Sequence, residues 1–271
     1  MPTPTQVAES DAASYDPDLY ASLVAVEDRH FWFRARNRAI TAVFESLRSG
    51  LRPGYRVLEV GCGTGSVLRD LQMSATGGTV IGMDLHVEGL RYAQARVNPA
   101  FLVVADAGHP PFSVRFDVVG LFDVIEHLDD DVAVLKQLRE VLTAGGALML
   151  TVPAHKSLWS YFDVVAHHRR RYERAELNDK LVAAGYSVEY LTPYMGVLHP
   201  LLWAGRRLAA SIGPRQADAA SARSLAEADL RVRPVSGALL GFLLGQELPW
   251  LRRRRRLPMG ASLLAVARAA A

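Results

Sequence analysis

The stretch Val57-Leu58-Glu59-Val60-Gly61-Cys62-Gly63-Thr64-Gly65 restricts the possible folds of this chain more than any other. Val57, Leu58 and Val60 make a short apolar run, suited to a strand covered on both faces as in a parallel sheet. Glycines at alternate positions allow a tight turn and a close approach of backbone to a ligand, where a Cβ would collide. Ser66 to Leu71 then carries apolar residues at Val67, Leu68 and Leu71, the spacing of one helix face. A nucleotide-like ligand at this strand-turn-helix junction is the leading reading. The plainer one is a turn that only packs helix on strand.

The rest of the chain repeats the alternation. Thr79 to Asp84 reads as a second strand, Ala100 to Asp106 as a third, Phe116 to Phe122 as a fourth and Ala147 to Val152 as a fifth. Helical patterns separate them over Gly89 to Arg96 and Val132 to Leu142, the latter capped from Asp129-Asp130-Asp131 and ended by Gly145-Gly146. Glu176 to Ala184 is a further helix, and Ser187 to Leu191 and Ser262 to Ala267 are late strands. The fold class is therefore α/β, a doubly wound parallel sheet. Connections of roughly seventy residues are rare inside a compact domain, so the one between the late strands reads as a helical insertion. The boundaries predicted are an N-terminal arm (1–28), a core (29–194), a helical insertion or lid (195–258) and a last core strand (259–271).

With 271 residues, 50% hydrophobic and 22% charged, the composition is that of an ordinary globular protein. A net charge of +3 is too small to argue for nucleic acid, and none is expected as a partner. Cys62, the sole cysteine, excludes an intramolecular disulfide and fits a reducing cytoplasm. Met1 to Tyr15 lacks a basic segment followed by an apolar run, so no secretory signal is expected. Val235 to Gly245 is strongly apolar, but Gln246, Glu247 and Pro249 interrupt it before the roughly 20 residues a bilayer span needs. A lid with Arg252 to Arg256 in solvent is the preferred reading of this region. Peripheral contact with an anionic membrane face through 198–212 and 235–256 is the alternative.

Ligands of open α/β sheets bind beyond the carboxyl ends of the strands. Gly61, Gly63 and Gly65 follow the first, and Asp84 ends the second, where a carboxylate accepts both hydroxyls of a ribose. Asp106 beside Ala107 ends the third, within reach of an adenine amino group. Phe122-Asp123 and Glu126-His127 follow the fourth. A nicotinamide enzyme is disfavoured, since its G-x-G-x-x-G pattern meets Ser66 at the last glycine. The Tyr-x-x-x-Lys of a short-chain reductase is also missing.

These residues resemble the class I S-adenosylmethionine-dependent methyltransferases. Glu59 to Gly65 matches the family's E-x-G-x-G-x-G motif, and Asp84, Asp106-Ala107 and Phe122 to Leu128 fall at its later motif positions in order. The resemblance covers about residues 30 to 195 and the last strand. It implies a Rossmann-like, seven-stranded sheet with a terminal antiparallel hairpin and S-adenosylmethionine as cofactor. The cofactor site implied is Glu59, Gly61, Cys62, Gly63, Gly65, Asp84, Leu85, Asp106, Ala107, Phe122 and Arg36. A second resemblance, to a bacterial methyltransferase subgroup, rests on Phe31-Trp32-Phe33-Arg34, on Val152-Pro153-Ala154 and on Trp159-Ser160 through Asp163 to His168-Arg169-Arg170-Arg171-Tyr172. Pro258 to Leu264 extends it. Phe162 stands where that subgroup commonly has histidine, and His167 replaces a glycine.

A methyl acceptor hydroxyl needs a base, and histidine is the natural one near neutral pH. His127, His168 and His155 are the catalytic candidates, His127 first. Trp32, Trp159, Tyr161, Asp163 and Arg170 are the acceptor-binding candidates. Glu126 with His127 offers two metal ligands, but no third stands out, so no metal is expected. The reading is O-methylation of a natural product, sugar or lipid-linked intermediate by a cytoplasmic enzyme. C- or N-methylation, or a non-catalytic cofactor-binding membrane partner, is the alternative.

Overall fold

A computed structural model describes residues 18–211, 228 and 231–270. Residues 1–17 of the expected arm and, apart from Ala228, the polar piece 213–228 lie outside the described residues. The chain opens with helices α1 (Asp18–Val26) and α2 (Phe31–Arg48), so part of the expected arm is helical. Then follow β1 (Arg56–Val60), α3 (Ser66–Ser74), β2 (Thr79–Asp84), α4 (Val87–Arg96), β3 (Leu102–Val104) and β4 (Phe116–Phe122). The second half runs α5 (Asp131–Glu140), β5 (Leu142–Pro153), α6 (Tyr161–Val165), α7 (Arg174–Ala183) and β6 (Tyr186–Tyr194). It closes with α8 (Leu198–Ser211), α9 (Pro234–Gly245), α10 (Leu248–Arg252) and β7 (Ser262–Ala269).

The strands form one sheet in the order β3-β2-β1-β4-β5-β7-β6. The first five are parallel, and β7 is antiparallel to both β5 and β6. This is the seven-stranded Rossmann-like sheet expected from the motifs. Side chains alternate across it. Val57 and Val118 enter a core under α2 and α3, while Leu58, Val60 and Val119 enter a second core under α5 and α7. Both faces of the central strands are thus apolar, which is why they read as unbroken hydrophobic runs.

Two boundaries differ from expectation. β5 begins at Leu142, before the glycine pair predicted to end the helix. Phe116 pairs with Leu142 and Val118 with Ala147, so the extra residues bulge out, and Gly145 takes a φ of 71° to allow it. β3 is shorter than predicted, an edge strand paired only with β2. The helix predicted from Val132 is α5, and the Asp130 side chain accepts from the Ala133 amide at 2.9 Å.

Residues 195–258 carry α8, α9 and α10. Leu244 and Leu251 are buried in the same core as Ile40, Phe44 and Leu47 of α2. The Glu247 carboxylate accepts from the Met195 and Gly196 amides at 2.8 and 2.6 Å, tying α10 to the end of β6. Arginines 252 to 256 were expected free in solvent or against lipid. Four of the five, Arg252, Arg253, Arg255 and Arg256, are exposed, Arg252 in a surface pair with Glu45 at 3.6 Å. Arg254 differs: it is half-buried, donating to Ser46 Oγ at 3.0 Å and pairing with Glu189 at 3.3 Å. Among the described residues no helix is long and apolar enough to cross a membrane.

Gly260 leads into β7, and a Cβ there would strike the backbone of Tyr194. Gly260→Ala should lower stability by about 3 kcal/mol through overpacking, seen as a lowered urea midpoint. Gly245→Ala, with nothing within 4 Å of the added carbon, should leave it unchanged within about 1 kcal/mol.

Candidate active site

The glycine turn sits at the carboxyl ends of β1 and β2. Gly61, Gly63 and Gly65 all take positive φ (71°, 49° and 76°), a region an L side chain enters only at a cost. The Gly61 and Cys62 amides donate to the Met83 carbonyl at 2.8 and 3.1 Å, and the Gly63 amide donates to Asp84 Oδ2 at 2.7 Å. The other Asp84 oxygen accepts from the His86 amide at 2.8 Å. Burial pushes the Asp84 carboxyl up, with these amides opposing it. From below, the Thr64 hydroxyl donates to the buried Glu27 carboxylate, which also holds Arg96 at 2.6 Å. Gly65 packs tightly on α4: a Cβ there would lie 2.8 Å from Ala93.

Around this turn opens a cavity of about 1210 Å³. Glu59, Gly61, Cys62, Gly63, Asp84, Leu85, Asp106, Ala107 and Phe122 line one end, with Arg36. Glu59 is 2% exposed and its Oε2 has no hydrogen-bond partner. Burial pushes this carboxyl well up, against the pull of Arg36. Arg36 is clamped to Asp123 at 3.0 Å and lies 5.2 Å over the Trp32 ring. Asp106 accepts from the Gly108 amide at 2.9 Å and meets His109 at 3.0 Å. Burial would raise it, but those two partners outweigh burial and its pKa is lowered. Burial pushes the Cys62 thiol well up, so it is an inert small residue in a tight turn.

The other end is lined by Glu126, His127, His168, Trp159 and Tyr161, with Leu198, Leu201 and Leu240 of the insertion. The His127 and His168 rings meet edge to face at 4.9 Å. Burial, with His168 beside it, pushes the His127 imidazole down to about 3. His168 Nδ1 lies 2.9 Å from Asp163 Oδ1, an oxygen that also accepts from Arg171 Nε at 2.7 Å. Asp163 further caps α6 through Ser160. Burial alone would raise its carboxyl, yet His168 and Arg171 hold it down at about 2.

Three predicted residues fall outside the cavity, besides Gly65. Asp163 is fully buried and positions His168 instead of meeting an acceptor. Arg170 turns to Asp131 (3.2 Å) and the Asp129 carbonyl (2.9 Å), because α5 presents a buried carboxylate to it. His155 pairs with Glu173 at 3.2 Å and meets the His199 ring edge to face. The Glu27-Thr64-Arg96 clamp was missed by sequence reasoning. Tyr20, Val24 and Glu27 do recur at helical spacing, a signal for α1 that was available.

A family model described as a methyltransferase domain matches residues 27–191. The chain belongs to this methyltransferase family. A relative in Mycolicibacterium smegmatis, named as a probable S-adenosylmethionine-dependent methyltransferase, is 29% identical over 66% of this chain and 66% of its own. The ubiquinone biosynthesis O-methyltransferase of Paracidovorax citrulli is 34% identical over 51% of this chain and 62% of its own. The chain thus spans less than two thirds of the length of either relative. Among solved structures, a chain from the complex of the Haloferax volcanii Trm112 methyltransferase activator with a methyltransferase shares the fold. Its TM-score is 0.59 at 20% identity, over 94% of this chain and 95% of that one. The matched segment begins at Glu27 of the clamp and ends in β6, so it holds the glycine turn and the histidine pair together.

Asp163→Asn should remove about 3 kcal/mol at neutral pH, by leaving Arg171 buried without its counter-charge. The Asp163 pKa is depressed on folding, so its stabilisation is full above the unfolded value near 4 and fades as pH falls through about 2. Wild type and variant should therefore converge in stability toward pH 2, measured by urea denaturation across the acid range.

Proposed function

We propose that this methyltransferase moves the methyl of S-adenosylmethionine to a hydroxyl of a small-molecule acceptor. The observation carrying this reading is that one cavity joins the glycine turn to the Glu126-His127-His168 cluster. The residues present fit the donor. Glu59 Oε2 is a buried, unpartnered acceptor on the cavity, suited to a cationic amino acid group. Asp84 and Asp106 keep acceptor capacity beyond their backbone bonds, suited to ribose hydroxyls and an adenine amine. When bound, S-adenosylmethionine supplies a sulfonium methyl open to in-line attack, leaving S-adenosylhomocysteine.

The chain's own part is to orient the acceptor oxygen and take away its proton. His127 was the first candidate for that task, and its imidazole, held down to about 3, is a weak proton acceptor. The cluster with His168, oriented by Asp163, supports the role better. Trp32, Trp159 and Tyr161 supply aromatic surface for the acceptor body. Leu198, Leu201 and Leu240 support reading the insertion as a lid, since they close the same space. Oxygen is preferred over carbon or nitrogen because titratable groups gather at the acceptor end, and the Paracidovorax relative is named an O-methyltransferase. A lipid-linked acceptor at a membrane edge is the second reading, favoured by Val235 and Phe242 of α9, which are 86% and 66% exposed.

Calorimetry with S-adenosylmethionine should show Asp84→Asn weakening affinity by about 10- to 100-fold, the value of one or two hydrogen bonds to a charged group. His168→Ala should leave that affinity within about two-fold and cut kcat by about 10²- to 10⁴-fold. Wild-type protein that binds the cofactor yet forms no S-adenosylhomocysteine with a broad panel of phenols, sugars and polyprenyl acceptors would sink the catalytic reading.

A further inference from the structure

Glu126 is fully buried, and neither of its carboxylate oxygens has a hydrogen-bond partner. A buried carboxyl normally finds a donor, so this orphan on a cavity wall calls for a missing positive group. Glu126, His127 and His168 each offer one ligand atom, and the three atoms lie within 4.8 Å of one another. His168 is the third ligand that the sequence did not reveal, because forty residues and β5 separate it from Glu126-His127. Its Nδ1 is taken by Asp163 at 2.9 Å, which leaves Nε2 for a ligand. Asp163 is in turn fixed by the Ser160 amide (2.8 Å) and by Arg171 (2.7 Å). The His127 ring is steadied by the backbone of His167. A carboxylate fixing the far nitrogen of a histidine is the outer shell that metal ligands commonly carry.

We propose that Glu126, His127 and His168 form a binding site for a first-row divalent cation such as Mn²⁺, Co²⁺ or Zn²⁺. Two imidazoles and one carboxylate suit these ions, whereas Mg²⁺ and Ca²⁺ take oxygen ligands. Three protein ligands leave positions open toward the cavity, where an acceptor bearing one or two adjacent oxygens coordinates. With the cation on Nε2, His168 is a ligand in place of the proton acceptor described above: the hydroxyl ionises on the cation and its proton passes to solvent, so the oxyanion is ready for the methyl. The role in turnover rests on the methyl transfer proposed above. The cation site itself does not.

The test uses the full chain, stripped with chelator and titrated with Co²⁺ by calorimetry and visible absorption. One cation per chain, with a visible band that shifts when catechol is added, is the expected result. Glu126→Gln and His168→Ala should each weaken binding by at least about 100-fold, and Asp163→Asn by about 10- to 100-fold. Asp129→Asn, an exposed acid on the neighbouring loop, should bind as wild type. His127→Asn stands in should either of the first two fail to fold by circular dichroism. No saturable binding, or the same affinity in all variants, overturns the site and leaves methyl transfer standing. Tight cation binding by protein with no affinity for S-adenosylmethionine would instead overturn the function and keep the site.

Discussion

The bond from the Gly63 amide to Asp84 is the constraint on which the site depends. It joins the end of β2 to the turn after β1 at 2.7 Å, and it holds the backbone at a φ of 49° that no L side chain favours. A carboxylate in that place does two things. It fixes the turn's shape, and it sets an acidic group on the cavity wall. The clamp beneath works toward the same end. Thr64, Glu27 and Arg96 bring α1, the glycine turn and α4 to one point, with the charges of Glu27 and Arg96 cancelling inside. The turn is thus rigid because two charged networks grip it from opposite sides.

The histidine half of the cavity is held differently. Its histidines come from the segments after β4 and after β5: His127 ends a single 3-10 turn (Ile125–His127), and His168 lies in a loop. Asp163 positions His168 from inside the protein. Holding its carboxyl down at about 2 keeps it charged at any physiological pH, so His168 always has a partner for Nδ1. Arg171 balances the charge, and its guanidinium donates in turn to the Ala154 carbonyl at 3.1 Å. The basic run Arg169 to Arg171 is therefore spent on structure. Arg169 holds the His127 carbonyl at 2.7 Å, and Arg170 holds Asp131.

The sheet and the glycine-turn end of the cavity were legible because they rest on local chemistry. Glycines 61 and 63, Asp84 and Asp106 lie at strand ends, and strand ends can be read from apolar runs. The histidine end was legible only as a set of residue types. Asp163 looked like a ligand contact, and only burial beside Arg171 shows it to be a support. His155 looked equivalent to His168 and differs because Glu173 draws it away from the cavity. Such choices depend on which charged partner lies across the fold, which spacing along the chain does not encode. Arg254 within the basic run is a similar case, since Ser46 and Glu189 are remote in sequence.

The place of β7 in the sheet has a consequence for how the molecule assembles. This strand lies between β5 and β6, although it follows both in the chain and is parted from β6 by α8, α9 and α10. Until it arrives, β5 and β6 each present an open edge, and neither can pair with the other in the native register. Closing the sheet therefore waits on a contact of long sequence separation, which is the slow kind. An open edge of apolar strand is also the part of a folding chain most prone to pair with a neighbour. Synthesis and folding of this protein thus share a late, vulnerable interval that ends when residues 262–269 slot into the gap.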